Sequence, residues 1–189
     1  MSSNGLGVFP NLSLPRFILN SPTLSILLPV TAGTLTGFLA NRRADTRTQY
    51  KNLRQPAGAP PPWVFGPVWT ILYASMGLAS HIAYRRNPLD LRNQTLYSIQ
   101  LALNFLWTPL FFGLGRVPES LVDILALDWT VLHLVRNWWG VGPAGYLMAP
   151  YAAWSLFATY LTGGIGFLNG WSMKGPHEKG KAAKGGKGY

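Results

Sequence analysis

Five long apolar runs dominate this sequence and constrain its fold more than any other feature. Each run comes close to the ~20 residues that a helix needs to cross the ~30 Å hydrocarbon layer of a membrane. Only 12% of the 189 residues are charged, about half the share of an ordinary soluble domain. The sequence therefore predicts an all-α membrane protein, a bundle of five transmembrane helices at residues 23–40, 64–84, 95–114, 118–136 and 144–168.

The segments outside these runs set the domain organisation. Residues 1–22 contain prolines and no compact apolar core, which predicts a short, poorly ordered lead-in rather than a signal peptide. Residues 23–169 are predicted to form one transmembrane domain. Residues 170–189 are rich in lysine and glycine, which predicts a flexible basic tail.

The positions of the basic residues predict the orientation of the chain. Of the 16 lysines and arginines, 11 lie in residues 41–63, 115–117 and the tail. By the positive-inside rule, the first long loop and the C-terminus are cytosolic and the N-terminus faces away from the cytosol. The absence of a signal peptide is compatible with the mitochondrial outer membrane, the endoplasmic reticulum or a bacterial membrane. Because the bases lie outside the apolar runs, no nucleic-acid partner is expected.

Cysteine is absent, which excludes disulfides and thiolate chemistry. The three histidines show no metal-ligand spacing, so no metal site is expected. Candidate chemistry is therefore confined to aromatic, amide and carboxylate side chains.

Three prolines, residues 60–62, stand directly before the second run. They favour an extended backbone, which predicts a stiff segment between the first loop and the membrane. Pro67 fits the first turn of the following helix. A stiff segment beside an aromatic helix face suggests a lid over a pocket. Four tryptophans near the ends of the runs are expected to anchor the chain at the membrane interface: Trp63, Trp138, Trp139 and Trp171.

Helical spacing gathers aromatic and polar side chains on single faces of three runs. Such walls suit a planar apolar ligand with a polar edge, although aromatic stripes in helical bundles are also common as simple packing. The side chains predicted to line a ligand pocket are Trp69 and Tyr73 on the second run, Asn104, Trp107 and Thr108 on the third, and Trp154, Ala158 and Leu161 on the fifth.

Four of the runs carry motifs that resemble one family. They are "PPPWVFGPVWTILYASMG", "QLALNFLWTPLFFGL", "LVDILAL" and "PYAAWSLFATYL", in order and with their spacing preserved. The resemblance is to the translocator proteins, also called tryptophan-rich sensory proteins or peripheral benzodiazepine receptors. It implies a five-helix bundle, often dimeric, that binds porphyrins, sterols and benzodiazepine-like ligands in a pocket capped by the first loop. Trp69, Tyr73, Asn104, Trp107, Trp154 and Ala158 match positions that line this pocket in the family.

The resemblance implies a protein that binds tetrapyrroles, porphyrin or haem, as ligands rather than as a required cofactor. Transport, sequestration or signalling would be its purpose, with sterol-like lipids as further ligands. Two alternatives stay open. The first is an enzyme that breaks porphyrin down with light and oxygen, for which Trp69 and Trp154 are the matching candidates. The second is a structural partner of other membrane proteins.

Asp123 matches the family's fourth-helix acid and is interpreted as a bundle hydrogen-bond acceptor or a member of a polar network. Asp128 departs from the family pattern and lies about 140° around the helix from Asp123. It is free to pair with His81, His133 or an arginine, or to reach a water-filled lumen.

Three glycine positions carry further expectations. Gly58 stands where relatives often have tryptophan, which predicts a less firmly closed lid. Gly163 and Gly164 replace the aromatic part of a proposed cholesterol motif, which predicts weak sterol binding. Gly33 and Gly37 form a GxxxG that supports either close packing inside the bundle or a dimer contact.

Overall fold

The computed structural model describes residues 12–173, and the regular structure within that range is helical. The all-helical prediction is confirmed, and each long helix overlaps one apolar run. In chain order the helices are α1 (Arg16–Asn20), α2 (Pro22–Ala44), α3 (Thr46–Asn52), α4 (Phe65–Arg86), α5 (Leu91–Thr108), α6 (Val117–Trp138) and α7 (Ala144–Asn169).

Capping residues explain why two helices extend beyond the predicted runs. Ser21 caps α2, because its hydroxyl accepts from the Leu24 N–H at 3.3 Å. Asp90 caps α5 in the same way, accepting from the Asn93 N–H at 3.2 Å. Asp45 ends α2 with a φ of 42° and caps the start of α3. Both ends of α2 and the start of α5 therefore lie at capping residues rather than at the limits of the apolar sequence.

The third apolar run differs from the prediction, because it is not one regular helix. After α5 ends, residues Pro109–Gly113 form a π-helical turn, closed by a 2.9 Å bond from the Leu114 N–H to the Pro109 carbonyl. Pro109 has no N–H with which to continue the α-helical ladder. The turn brings Phe111 into a fully buried position below α5.

The five long helices close into a ring. α2 packs on α4, α4 on α7, α7 on α6, α6 on α5, and α5 returns to α2. Polar side chains such as Gln100 and Asp128 are buried inside the ring, while large apolar ones such as Ile71, Val122 and Phe167 are exposed outside it. This distribution of polarity is typical of a bundle surrounded by lipid.

Among the described residues, one helix is long and apolar enough by hydropathy to cross a membrane, and it is α2. The mean hydropathy of α5 and α6 is lowered by amides and carboxylates that the bundle buries, such as Asn104 and Asp123. Hydropathy along the sequence counts these groups as if they faced lipid.

Two glycines allow α2 and α4 to approach closely. A Cβ at Gly33 would overlap the ring of Tyr73, and one at Gly77 would overlap the backbone of Ser25. Gly33 therefore serves packing inside the bundle, one of the two roles predicted for the GxxxG. Gly37 has open space around it, so it takes no part in this contact.

Part of the predicted lead-in belongs to the core. α1 lies within residues 12–22, and Leu19 is buried in the main apolar cluster beside α4 and α5. Residues 1–11 and 174–189 lie outside the described residues, so the rest of the lead-in and most of the tail stay predictions. Trp138 is also buried rather than at an interface, since its ring packs 6.0 Å from that of Tyr97.

The α2–α4 contact makes a prediction about stability. Gly77→Ala should lower the free energy of unfolding by about 1–3 kcal/mol, because the added methyl meets backbone that cannot move aside. Gly37→Ala is the matched control and should leave stability unchanged or raise it by up to about 1 kcal/mol through helix propensity. Thermal unfolding in detergent, followed by circular dichroism, measures both. Equal stabilities of the two variants would contradict the close approach.

Candidate functional site

A chain of hydrogen bonds between buried side chains joins three helices at the centre of the bundle. The Tyr73 hydroxyl of α4 donates to Asn104 Oδ1 of α5 at 2.6 Å, and Asn104 Nδ2 donates to the Tyr151 hydroxyl of α7 at 2.9 Å. Tyr151 donates in turn to Gln100 Oε1 at 2.9 Å. Because each of these four side chains has a hydrogen-bond partner among the others, they hold α4, α5 and α7 together.

Aromatic rings surround this polar chain on the side of the first loop. The Trp69 ring lies 5.4 Å from Tyr73 and 6.2 Å from Tyr151. Trp154 lies 6.1 Å from Phe65, which in turn lies 5.4 Å from Tyr50 of α3. These centroid distances are those of interacting aromatic pairs. The rings therefore form two groups, one around Trp69 and one around Trp154, and both pack against the main apolar core; together they are called the aromatic cluster.

Trp107 stands beside this cluster at the end of α5. Its ring stacks on Phe111 with centroids 4.9 Å apart and an angle of 13° between the planes. The π-helical turn after α5 is what places Phe111 under that indole. Trp107 contacts both the main apolar cluster and the smaller one formed by the first loop. It therefore joins the bundle centre to the loop end.

Five side-chain polar atoms at this end are buried without a hydrogen-bond partner among the described residues. Three belong to the long helices, Trp107 Nε1, Trp154 Nε1 and Asp123 Oδ2, and two to the first loop, Gln49 Oε1 and Gln55 Oε1. Asn137 Nδ2 donates to Asn93 Oδ1 at 2.7 Å, which sets the antiparallel register of α5 and α6 and brings Trp107 and Asp123 to about the same level. Two indole donors and one carboxylate acceptor are thus left for a guest molecule or water.

The first loop is fastened to the end of α7. Asn169 accepts from the Arg54 N–H at 3.0 Å and donates to the Arg54 carbonyl at 2.9 Å. The Tyr160 hydroxyl donates to the Ala57 carbonyl at 3.0 Å. These three bonds hold the segment on both sides of Pro56. The loop therefore covers the aromatic cluster in the structure.

The Tyr50 hydroxyl completes the cover from within the loop. It donates to the Pro60 carbonyl at 3.1 Å, and burial raises the pKa of the Tyr50 hydroxyl. The donor therefore stays protonated across the physiological pH range. Pro61 has the extended φ and ψ of −65° and 151°, as the proline triplet predicts.

Two glycines, Gly58 and Gly164, allow the first loop to pack against α7. A Cβ at Gly164 would stand 2.8 Å from Pro56 Cβ, so the missing side chain makes room for the loop. Gly58 adopts a φ of 77°, which favours glycine at the turn. The bonds from Asn169 and Tyr160 fasten the loop on either side of Pro56, and whether the lid closes less firmly than in relatives stays a prediction.

Asp128 has partners that the sequence analysis did not consider. Its two carboxylate oxygens accept from the Ser155 hydroxyl at 2.5 Å and the Thr159 hydroxyl at 2.6 Å. Ser155 and Thr159 are one turn apart on α7, so the carboxylate ties α6 to α7. The predicted pairing with His81, His133 or an arginine is wrong: His81 contacts the Leu19 carbonyl and His133 the Trp129 carbonyl.

The remaining predicted site residues lie around the same region. Ala158 and Leu161 are buried on α7, and Thr108 is partly buried at the last position of α5. Their role in binding stays a prediction. Phe65 and Tyr50 were not predicted as site residues. Tyr151 and Gln100 lie on the predicted helical faces, at i+3 and i+4 spacing from Trp154 and Asn104, but were left out of the predicted set of lining residues.

Comparison with known proteins agrees with the motifs and the helical ring. Residues 25–168 match the model of the TspO/MBR family. The chain belongs to this family. The translocator protein homolog of Schizosaccharomyces pombe is 42% identical over 149 residues, covering 76% of this chain and 88% of the relative. The TspO/MBR match supports a membrane protein of the translocator or sensory type.

Two further relatives show how widely the similarity extends. The tryptophan-rich protein TspO of Archaeoglobus fulgidus is 38% identical over 146 residues, covering 77% of this chain and 94% of the relative. The human translocator protein is 38% identical over 122 residues, covering 59% of this chain and 69% of the relative. TspO/MBR similarity therefore reaches archaeal, fungal and animal proteins.

The central hydrogen-bond chain makes a prediction about stability. Asn104→Leu should lower the free energy of unfolding by about 2–5 kcal/mol, because it leaves the Tyr73 and Tyr151 hydroxyls buried without that partner. Adding Tyr73→Phe to Asn104→Leu should recover part of the loss, whereas Tyr73→Phe alone should be destabilising. Denaturation of the four proteins of this double-mutant cycle in detergent measures the coupling. Strictly additive effects would show that the two side chains do not interact.

Proposed function

We propose that this protein binds tetrapyrroles, porphyrin or haem, between its helices for transport, sequestration or signalling. The observation that carries the proposal is the pair of buried indole N–H groups, on Trp107 and Trp154, that have no acceptor among the described residues. They border a cluster of aromatic rings under the first loop. A planar aromatic ligand with acceptor groups at its edge would accept from the two indole N–H groups and stack on the aromatic rings.

The energetics favour such a ligand over a purely aliphatic one. Each stacked aromatic pair contributes about 0.5–1.5 kcal/mol beyond the burial of its area. A hydrogen bond from an indole N–H to a carboxylate contributes about 1.5–3 kcal/mol, since the acceptor is charged. The carboxylate side chains of a porphyrin provide such acceptors, while its ring system provides the stacking surface. A sterol offers neither, so we expect it to bind more weakly.

Ligand entry requires the first loop to move. The rings of Tyr50, Phe65 and Trp154 contact one another in series, so a planar molecule has to separate them. Release of the Asn169 bonds to Arg54 would free the loop without disturbing the central hydrogen-bond chain. The loop then acts as a gate, and the bundle centre as its rigid frame.

The proposed setting is a bilayer crossed by all five long helices. Outward-facing apolar side chains on each of them support this arrangement, including Leu35, Ile71, Leu106, Val122 and Phe167. The distribution of basic residues supports a cytosolic first loop and C-terminus. Gly37 leaves space on the outer face of α2 for a second copy, in line with a homodimer.

Porphyrin affinity tests the proposal through the indole donors. Trp107→Phe and Trp154→Phe keep an aromatic ring but remove the N–H, so each should weaken protoporphyrin binding by about tenfold or more. Trp129→Phe is the matched control, because Trp129 is 56% exposed on the outside of α6, and it should bind as the parent does. Calorimetry avoids the loss of a fluorophore as an artefact. Unchanged affinity in both site variants would overturn the proposal.

The same titration separates binding from breakdown. A binding protein returns porphyrin unchanged after illumination in air, whereas an enzyme forms a product whose absorbance differs. If a product forms and disappears in Trp69→Phe or Trp154→Phe while porphyrin still binds, the protein is an enzyme and the binding role alone is insufficient.

A further inference from the structure

A cleft opens at the other end of the bundle, away from the first loop. Its volume is about 10 Å³, which suits one water-sized group such as an ammonium, and it lies between the end of α4, the start of α5 and the end of α6. Its walls include the rings of Tyr84, Tyr97 and Trp138 and the polar side chains of Asp90 and Gln94. None of the predicted tetrapyrrole-site residues lines it. The cleft is therefore a separate candidate site.

A buried amide oxygen faces this cleft without a partner. Gln94 is 6% exposed, and its Nε2 donates to the Pro88 carbonyl at 3.0 Å. Because a carbonyl can only accept, this bond fixes which end of the amide is nitrogen and leaves Oε1 as the free acceptor. Gln94 Oε1 is buried without a hydrogen-bond partner among the described residues. The Tyr97 hydroxyl has the Ser80 side chain as a hydrogen-bonding neighbour. An occupant with an N–H donor satisfies Gln94 Oε1.

The charge around the cleft favours a cation. Asp90 lines it, and its carboxylate accepts only the neutral backbone N–H and side-chain amide of Asn93, at 3.2 and 2.7 Å. Within residues 12–173, no cationic side chain forms an ion pair with Asp90. α4 and α6 end at this cleft and α5 begins there with Asp90 as its cap, so two helix ends with partial negative charge meet one with partial positive charge.

The neighbouring arginines are turned to other partners. Arg85 donates to Asn20 Oδ1 at 3.2 Å, and an Arg86 guanidinium nitrogen lies 3.7 Å from the Cβ position of Gly142. Neither arginine lines the cleft. Both are exposed next to it in the chain, where they can meet a phosphate in solvent.

We propose that this cleft binds a primary ammonium group, as carried by the headgroup of an ethanolamine phospholipid or by a free amine. The N–H groups of an ammonium can donate to Gln94 Oε1 and to the Asp90 carboxylate, which both belong to residues that line the cleft, while the aromatic walls stabilise its charge. A quaternary ammonium has no N–H and leaves Gln94 Oε1 unsatisfied. The lipid source rests on the proposed five-span arrangement, which brings this end of the bundle to the headgroup layer.

Competition between two lipids tests the proposal on the full-length protein. Native mass spectrometry of the protein in detergent, with equal amounts of ethanolamine and choline phospholipids of the same acyl chains, should show the ethanolamine lipid preferentially retained. Gln94→Leu removes the acceptor and should weaken that binding by about tenfold or more. Gln94→Glu keeps an acceptor there and, although it loses the bond to the Pro88 carbonyl, should retain the ethanolamine lipid better than Gln94→Leu does. A residue with a merely structural role would lose binding in both variants.

A matched control and a second ligand complete the test. Gln49→Leu removes another buried amide oxygen without a partner, but at the first-loop end, and should leave lipid preference unchanged. Ethanolamine alone, titrated by calorimetry, decides the source: binding equal to that of the lipid identifies a free amine, and much weaker binding identifies the lipid headgroup.

Three outcomes would overturn the proposal. They are equal retention of the two lipids, preference for an anionic lipid without an amine, and equal losses in the two Gln94 variants. The last result would mean that the cleft holds water alone. Porphyrin affinity should be unaffected by any Gln94 substitution, so failure here leaves the proposed tetrapyrrole site untouched.

Discussion

The rest of the bundle depends on the two hydrogen bonds that the Asn104 side chain makes. It accepts from Tyr73 and donates to Tyr151, so a single side chain joins α4, α5 and α7. In lipid the apolar surfaces of helices gain little by meeting one another, and interhelical hydrogen bonds and close packing decide the arrangement. Asp128 does the same for α6 and α7. Together these contacts make the centre rigid.

The two ends of the bundle differ from its centre in how many of their buried polar groups have hydrogen-bond partners. In the middle, the amide and hydroxyl groups of the network satisfy one another. Within residues 12–173, Trp107 Nε1 and Trp154 Nε1 have no partner at the first-loop end, and Gln94 Oε1 has none at the other end. Since leaving a buried polar group unpaired costs about 1–3 kcal/mol, each such position is a place where an occupant gains most. The polar contacts that hold the fold are thus spatially separate from those available to ligands.

Much of the fold follows from the sequence because apolar length and helical spacing are local properties. The five apolar runs can be found in the sequence, and so can the i, i+4 spacing that places Gln100 and Asn104 on one helical face. Pairings between distant helices are not: nothing local relates Asp128 to Thr159 or Asn169 to Arg54. Gly164 shows the limit most clearly, since its missing side chain makes room for Pro56, a contact that no local pattern indicates. The packed role of Leu19 depends equally on a tertiary contact.

Calorimetric titration of protoporphyrin into two alanine variants of α7 tests most directly whether the ligand lies inside the ring. Ala158 is buried and Ala153 is exposed on the same helix, so the same change to phenylalanine fills the interior in one case and adds a ring to the outside in the other. With helical content unchanged, Ala158→Phe should abolish measurable binding and Ala153→Phe should bind as the parent does. Full binding by Ala158→Phe, or its loss in Ala153→Phe alone, would place the ligand on the outer surface and contradict the intrabundle site.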